Sequence, residues 1–535
     1  MSSIFKMVSF KKPRRNAFNL SHDVKLSCKM GQLIPIMCQE VLPGDHFKVI
    51  ADLTCRLAPL VAPMMHNVNI YTHYFFVPFR IIWDDYKDFF TGGEDGTKEP
   101  VFPYIAAKTF SAHNFAPGTL FDYLQYPTTT MPDSTPVGEN RFSVIPLNAY
   151  NLIWNEYYRD QNLSDAIPII KRSGPQTSSQ IKNVNLLRVS WEKDYFTSAL
   201  PWPQRGGDVT MPIVGAGALP VRLNDTNRDT QSFRTESLRD SNGVPVTYTS
   251  DPSSLEGNLE INHGSTNDKL YFSPGESLYA DLSELTSATI NELRRAFALQ
   301  RYLEINARAG ARYVELVQAH FGVRVPDWTI QRPVFLGGGK VPINVGDVMQ
   351  TSQSTDDSPQ ANPAGFGISR SLNGAFRHFF KEAGYIMGLM FIRPKAVYQQ
   401  GCPRHLQKFD KFDYYLPSFA HIGEQTIKNG ELYYDLSKSG EENSRDFGYT
   451  PRYADYRFNL SRVHGDFKTS LNFWHMARIF SSEPALNEQF VTVSPANNGL
   501  DRVFAVTDSN VDKFYVDIHF NMKAIRPVSR TGNPI

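Results

Sequence analysis

The residues of this chain that could do chemistry do not fall into a reactive spacing. Leu336-Gly337-Gly338-Gly339-Lys340-Val341 has the look of a phosphate loop, in which backbone N–H groups and a lysine cradle a nucleotide. No glycine precedes Gly339-Lys340 at the G-x-x-x-x-G-K distance, and Val341 stands where magnesium needs a hydroxyl. Asp84 and Asp85 are adjacent at an expected helix start, where carboxylates favour the dipole, so they read as caps rather than an acid/base pair. The 13 histidines are scattered; His66 and His73 are seven apart, on opposite faces of a strand, and His464-Gly465-Asp466 is a turn. Gly92 to Gly96 lacks the spaced ligands and closing Glu of a calcium loop and reads as a turn. There is neither a G-x-S-x-G elbow nor an H-E-x-x-H. Cys28, Cys38, Cys55 and Cys402 form no C-x-x-C or metal spacing and read as buried, reduced thiols. The expectation is no catalytic constellation, no metal and no cofactor.

Basic residues offer a different chemistry. Residues 1–15 carry Lys6, Lys11, Lys12, Arg14 and Arg15 with no acid, and Pro13 without periodicity argues for a flexible arm. Such an arm is either a solvated tail or a device for neutralising phosphates, since each Lys or Arg contact releases counterions. Lys523, Arg526 and Arg530 give a second basic group near the other end. With a net charge of +1 the chain as a whole is not a polyanion-binding body, so any nucleic-acid contact has to be local.

The elements that must carry these residues are mostly strands. Phe47, Val49, Ala51, Leu53, Cys55 and Leu57 alternate with more polar partners, as do Val68, Ile70, Thr72, Tyr74 and Phe76. A two-residue period lets one face be buried. Leu42-Pro43-Gly44-Asp45 supplies a turn. Tyr385 to Arg393 is apolar enough for a strand buried on both faces. Val511 to Ile525 shows the cleanest alternation: Phe514, Val516, Ile518, Phe520 and Met522 against Tyr515, Asp517, His519, Asn521 and Lys523. Aromatics at 13% suit large sheets, and early and late strands around long connections suit a Greek-key or jelly-roll pair with first and last strands as neighbours.

Helices are expected at Ile81 to Phe90, at Asn148 to Arg159, and after the capping box Thr289-Ile290-Asn291-Glu292. There Leu293, Ala296 and Phe297 begin one apolar stripe, and Tyr313, Leu316, Val317 and Phe321 form a second beyond Gly310. Arg294, Arg295, Arg301, Arg308 and Arg312 decorate the outside, as a solvated face or as a contact with a neighbouring subunit or nucleic acid. Residues 201–283 are dense in Asn, Asp, Ser, Thr, Gly and Pro and thin in aromatics, so they read as a surface excursion. No apolar run reaches the roughly 18 residues of a membrane span, and no secretory signal is visible, so a soluble protein made in the cytoplasm is expected.

Blocks in a fixed order carry a resemblance. NLSHDVKLSCKMGQLIPI, EVLPGDHF, RLAPLVAPMM and YFFVPFRIIWDDYKDFFTGG lie in residues 16–96; INELRRAFALQRYLEINARAGARYVELVQAHFGVRVPDWTIQRPVFLGGGK and VYQQGCPRHLQKFDKFDYYLPSFAHIGEQ lie in roughly 284–430. Together they resemble the major capsid protein of the microviruses, small single-stranded-DNA phages, most closely the gokushovirus branch. The match weakens over residues 100–200 and disappears in 203–282.

The resemblance implies a mainly β fold, an eight-stranded antiparallel jelly-roll capsid barrel with long inserted loops and a few helices. It divides the chain into a basic arm (1–15), the jelly-roll domain (16–200 and 284–535) and a surface insertion (201–283) that protrudes at threefold axes and is a candidate for host attachment. It implies a non-enzymatic subunit of a homo-oligomeric icosahedral T=1 shell in the virion, assembled in the bacterial cytoplasm around a circular single-stranded DNA genome. The implied partners are that DNA, a small basic packaging protein, a minor spike or pilot protein and a host surface receptor, without membrane insertion. The expected DNA-binding residues are Lys6, Lys11, Lys12, Arg14, Arg15, Lys523, Arg526 and Arg530. The glycine-rich segment before Lys340 is then an ordinary loop. A jelly-roll carbohydrate-binding or hydrolase module would need paired carboxylates and exposed Trp on one sheet face. A soluble single-stranded-DNA-binding protein would need a more positive total charge.

Overall fold

A computed structural model describes residues 14–128, 140–207, 209, 290–349, 351, 360–361 and 363–531, with short strand pieces at 221–223, 238–239, 271–272 and 278–280. Its contacts divide into two compact units, Gly206–Leu303 and the remainder of the chain.

The larger unit is built on two antiparallel sheets. Its principal strands are β1 (Asn16–Asn19), β2 (His22–Cys28), β3 (Ile34–Val41), β4 (His46–Leu57), β5 (Val68–Pro78), β6 (Val334–Pro342), β7 (Asn344–Met349), β8 (Pro363–Phe379), β9 (Gly384–Pro394) and β10 (Phe514–Arg526). One sheet runs β1-β10-β4-β8-β7, with β2 also paired to β10; the other runs β6-β5-β9-β3. The first strands therefore lie beside the last, with Asn16 opposite Arg526 and Cys28 opposite Phe514.

Alternation explains the core. In β4, Phe47, Val49, Ala51, Leu53 and Cys55 are fully buried; in β10 the buried set is Phe514, Val516, Ile518, Phe520, Met522 and Ala524. They share one apolar cluster with Ile70, Tyr74 and Phe76 of β5 and Ile386 of β9, which brings the two sheets face to face. The Tyr74 and Phe376 rings meet at 5.2 Å and the Phe76 and Phe380 rings at 4.8 Å. Burying each such ring contributes roughly 2–3 kcal/mol.

The two outer faces differ. The helix Ile145–Ile153 and its π-turn Trp154–Tyr158 cover the second sheet, with Tyr157 at 4.7 Å from the Phe75 ring and Tyr158 hydrogen-bonded to His73. For that reason Phe75 is buried as well; Tyr71, stacked on Phe391, and Val77 on the same face are also buried, and β5 is not the half-buried strand its alternation predicts. The large sheet keeps its outer face open along β4, β8 and β10, where charged side chains alternate with core residues.

Other local expectations change too. The glycine-rich segment is not a loop but strand β6, paired with β5 across a bulge between Phe335 and Gly337. Gly338 is required there, because a Cβ would stand 2.5 Å from the Thr72 carbonyl oxygen. The helix expected over Ile81 to Phe90 is two pieces, Phe79–Ile82 and Tyr86–Thr91. Between them the Trp83 indole N–H donates to Ser173 Oγ, and that hydroxyl donates to Asp85. Asp85 occupies the N-cap position without capping, because its carboxylate is used by Ser173. The expected stripes on Ile290–Ala309 and Tyr313–Phe321 stay open: Phe297 is 67% and Phe321 74% exposed. Cys28 and Cys55 are buried, whereas Cys38 and Cys402 are half-buried. Burial pushes the Cys55 thiol up to about 12, which keeps it protonated and inert.

Candidate nucleic-acid interface

The register of the large sheet assembles what spacing alone could not. Lys523 of β10 lies opposite Lys48 of β4, and Lys48 lies opposite Arg377 of β8. All three side chains point away from the core, because their neighbours Met522, Ala524, Phe47, Val49 and Phe376 fill it. Three cations thus form one row across three strands. Among the described residues no carboxylate pairs with any of them; Arg377 Nε donates to His46 Nε2 at 3.0 Å instead. Like charges directly opposite one another on a sheet cost a few tenths to about 1 kcal/mol per pair, a cost that a bound polyanion reverses.

Elsewhere on this face several charges are neutralised locally, with Arg56 of β4 an exception. His519 meets Asp23 at 2.5 Å, Lys25 meets Asp517 at 3.3 Å, and Arg370 meets Asp52 at 3.8 Å. The hydrogen bond from His519 holds the Asp23 carboxyl below the usual carboxylate range. Three unpaired cations are therefore gathered in one row toward one end of the sheet, while Arg56 stands singly toward the other. Two residues further along each strand, Ile525, His46 and Phe379 form the next row, and the Arg15 guanidinium sits 5.2 Å from the Phe379 ring. The chain enters the fold beside the cationic row.

The expected basic residues divide accordingly. Lys6, Lys11 and Lys12 lie outside the described residues. Arg14 and Arg15 are exposed just before β1, and Arg530 is exposed after β10. Arg526 donates to Asp45, whose carboxylate is wholly buried. Lys523 stands in the row. Lys48 and Arg377 were not singled out by the sequence reading. Lys48 belongs to the polar half of the β4 alternation, a signal that was present, but only the register places it next to Lys523.

A second surface is apolar. Leu406, Phe409, Leu416 and Ile422 are exposed, Phe409 by 89%. The segment that carries them is fastened from beneath. Arg404 donates to the buried Glu431 at 2.8 Å, and Lys408 meets Asp455 at 2.6 Å. Tyr195 also donates to Glu431, whose burial pushes its carboxyl above the usual range. These pairs hold the segment in place while its apolar side chains stay exposed.

No group of three or more metal-ligating side chains occurs among the described residues, and none of their helices is long and apolar enough to cross a membrane. Residues 6–535 match the family described as capsid protein (F protein). The chain belongs to this family. As a capsid protein it is similar to capsid protein VP1 of Chlamydia phage 1, at 36% identity over 577 aligned residues, covering 96% of this chain and 94% of that one. It is 34% identical to capsid protein VP1 of Bdellovibrio phage phiMH2K, over 97% of this chain and 95% of the relative, and 29% identical to that of Spiroplasma virus 4, over the same shares. The resemblance to microvirus capsid proteins of the gokushovirus branch holds. This capsid protein is a structural subunit of the virion, and its family implies a shell made of copies of one chain.

Proposed function

We propose that this subunit is an eight-stranded jelly roll whose large sheet turns its open face toward a single-stranded DNA genome. Counting β1 and β2 as one bent strand, the sheet orders become two sets of four, with β7 as an additional edge strand. That interleaved order, with first and last strands paired, supports the jelly-roll reading. The single observation that supports the DNA side is the unneutralised row Lys48, Arg377 and Lys523 beside the root of the basic arm. Lys6, Lys11, Lys12, Arg14 and Arg15 extend that surface, and Arg530 lies nearby in sequence. The exposed apolar segment around Phe409 serves contact between copies in an icosahedral T=1 shell. Residues 201–283 form the host-attachment insertion, which meets a host surface receptor. A small basic packaging protein and a minor spike or pilot protein complete the particle, which assembles in the bacterial cytoplasm. No step of this role calls for catalysis or a cofactor.

Replacing Lys48, Arg377 and Lys523 together with alanine tests the reading. Shells of normal size should form with less DNA inside, measured as the absorbance ratio at 260 and 280 nm of purified particles. Unchanged DNA content would sink it.

A further inference from the structure

The same open face carries a groove at its other end, and we propose that it holds one nucleotide of a single strand, with the base stacked on Tyr515. This inference rests on the reading of that face as the DNA side. The groove has a volume of 560 Å³, within the range that takes a small organic ligand, and is lined by Lys25, Ser27, Thr54, Arg56, Tyr515 and Asp517. Two rows of the sheet build it: Ser27, Tyr515 and Arg56 lie side by side, as do Lys25, Asp517 and Thr54.

Tyr515 is 45% exposed, and its ring packs against no other aromatic ring among the described residues. An exposed aromatic side chain on a strand paired on both sides offers a surface on which any base can stack. Arg56, next to it across the ladder, is exposed and meets no carboxylate among the described residues. Lys25 is already bound to Asp517 at 3.3 Å. Arg56 is therefore the phosphate ligand, while the Thr54 hydroxyl faces a base edge; the Ser27 hydroxyl donates to Asp512 and Asp517 holds Lys25, so these two wall the groove. Tyr515 and Lys523 are eight residues apart on one strand, about 27 Å. A strand of several nucleotides can run along β10 from the stacking site to the cationic row.

The test uses the full-length, unassembled chain with two fluorescein-labelled octamers, oligothymidylate and the same sugar–phosphate backbone without bases. Tyr515→Ala should weaken oligothymidylate binding tenfold or more, the scale of one stacked base, and leave the abasic octamer unaffected. Tyr515→Phe should bind as the unaltered chain does, and Arg56→Ala should weaken both octamers. Equal losses for both octamers in Tyr515→Ala would overturn the stacking role. So would unchanged binding in Tyr515→Ala and Arg56→Ala while the triple substitution of Lys48, Arg377 and Lys523 loses affinity; the DNA-side reading would then stand without the groove. If the triple variant also binds normally, that reading falls. Should Tyr515→Ala fail to fold, ultraviolet crosslinking in DNA-filled particles decides: a DNA adduct at Tyr515 supports the groove, and its absence overturns it.

Discussion

Asp45 and Arg526, 481 positions apart in the chain, meet where the turn before β4 touches the end of β10. Arg526 Nε donates to Asp45 Oδ2 at 3.0 Å, and the Leu42 backbone N–H donates to the same oxygen at 2.9 Å. The Asp45 side chain has 0% exposure and that of Arg526 17%. The guanidinium also lies 5.6 Å from the Phe47 ring. One ion pair thus ties the turn between β3 and β4, where the chain crosses from one sheet to the other, to the last strand of the large sheet.

The two partners should not be equivalent. Arg526→Met leaves a fully buried carboxylate without its cation, which costs roughly 3 kcal/mol or more. Asp45→Asn leaves a guanidinium that still reaches water and keeps a short polar side chain for the Leu42 N–H, so about 1–2 kcal/mol is expected. Urea unfolding of the unassembled chain measures both. Equal losses, or a larger one at Asp45, would contradict the burial asymmetry.

The cationic row makes a prediction about salt. If Lys48, Arg377 and Lys523 each neutralise one phosphate, every single alanine substitution should reduce the slope of log affinity against log salt by about 0.7 for single-stranded DNA. Arg526→Lys should leave the slope alone, because that charge remains with Asp45. Fluorescence anisotropy with an unstructured oligonucleotide at several salt concentrations gives the slopes.

How much of this surface the sequence could reveal depends on which residues one asks about. Alternation in β4 and β10 told which residues face inward, because a half-buried strand writes its two faces directly into the chain. It also told that Lys523 faces out. It could not tell that Lys48 and Arg377 are its neighbours. Pairing between β4 and β8 is set by a bulge between Asn373 and Ala375, and a slip of one residue would put Arg377 in another row. β5 misled for the opposite reason: its second face is covered by the helix Ile145–Ile153, which lies far away in sequence. The basic ends were visible as composition, yet composition could not separate Arg526, held by Asp45, from Lys523.

Acid should weaken the subunit through His73. Burial, with a smaller effect of Arg393, pushes its imidazole down to about 4, and the ring is hydrogen-bonded to Tyr158. In the unfolded chain the same group titrates near 6.5. The unfolded state therefore binds the extra proton first, and stability present above pH 6.5 is lost as pH falls toward 4. With allowance for partial exposure the loss is roughly 1–2 kcal/mol. His73→Gln should flatten this part of the stability–pH curve, measured by urea midpoints between pH 4 and 7. An unchanged slope would place the acid sensitivity elsewhere.

The apolar display around Phe409 can be separated from the fold. Phe409 is 89% exposed, while Arg404 and Lys408 beneath it are fixed by Glu431 and Asp455. Phe409→Asp removes apolar contact area and introduces a charge, without touching those pairs. The unassembled subunit should keep its stability within about 0.5 kcal/mol, as surface substitutions do. Assembly should fall steeply, since an unpaired carboxylate buried between copies costs several kcal/mol per contact. Sedimentation velocity distinguishes shells from free subunits, and urea unfolding monitors the fold. Closed shells in normal yield from Phe409→Asp would remove this segment from the contact between copies; a destabilised subunit would instead make Phe409 part of the fold.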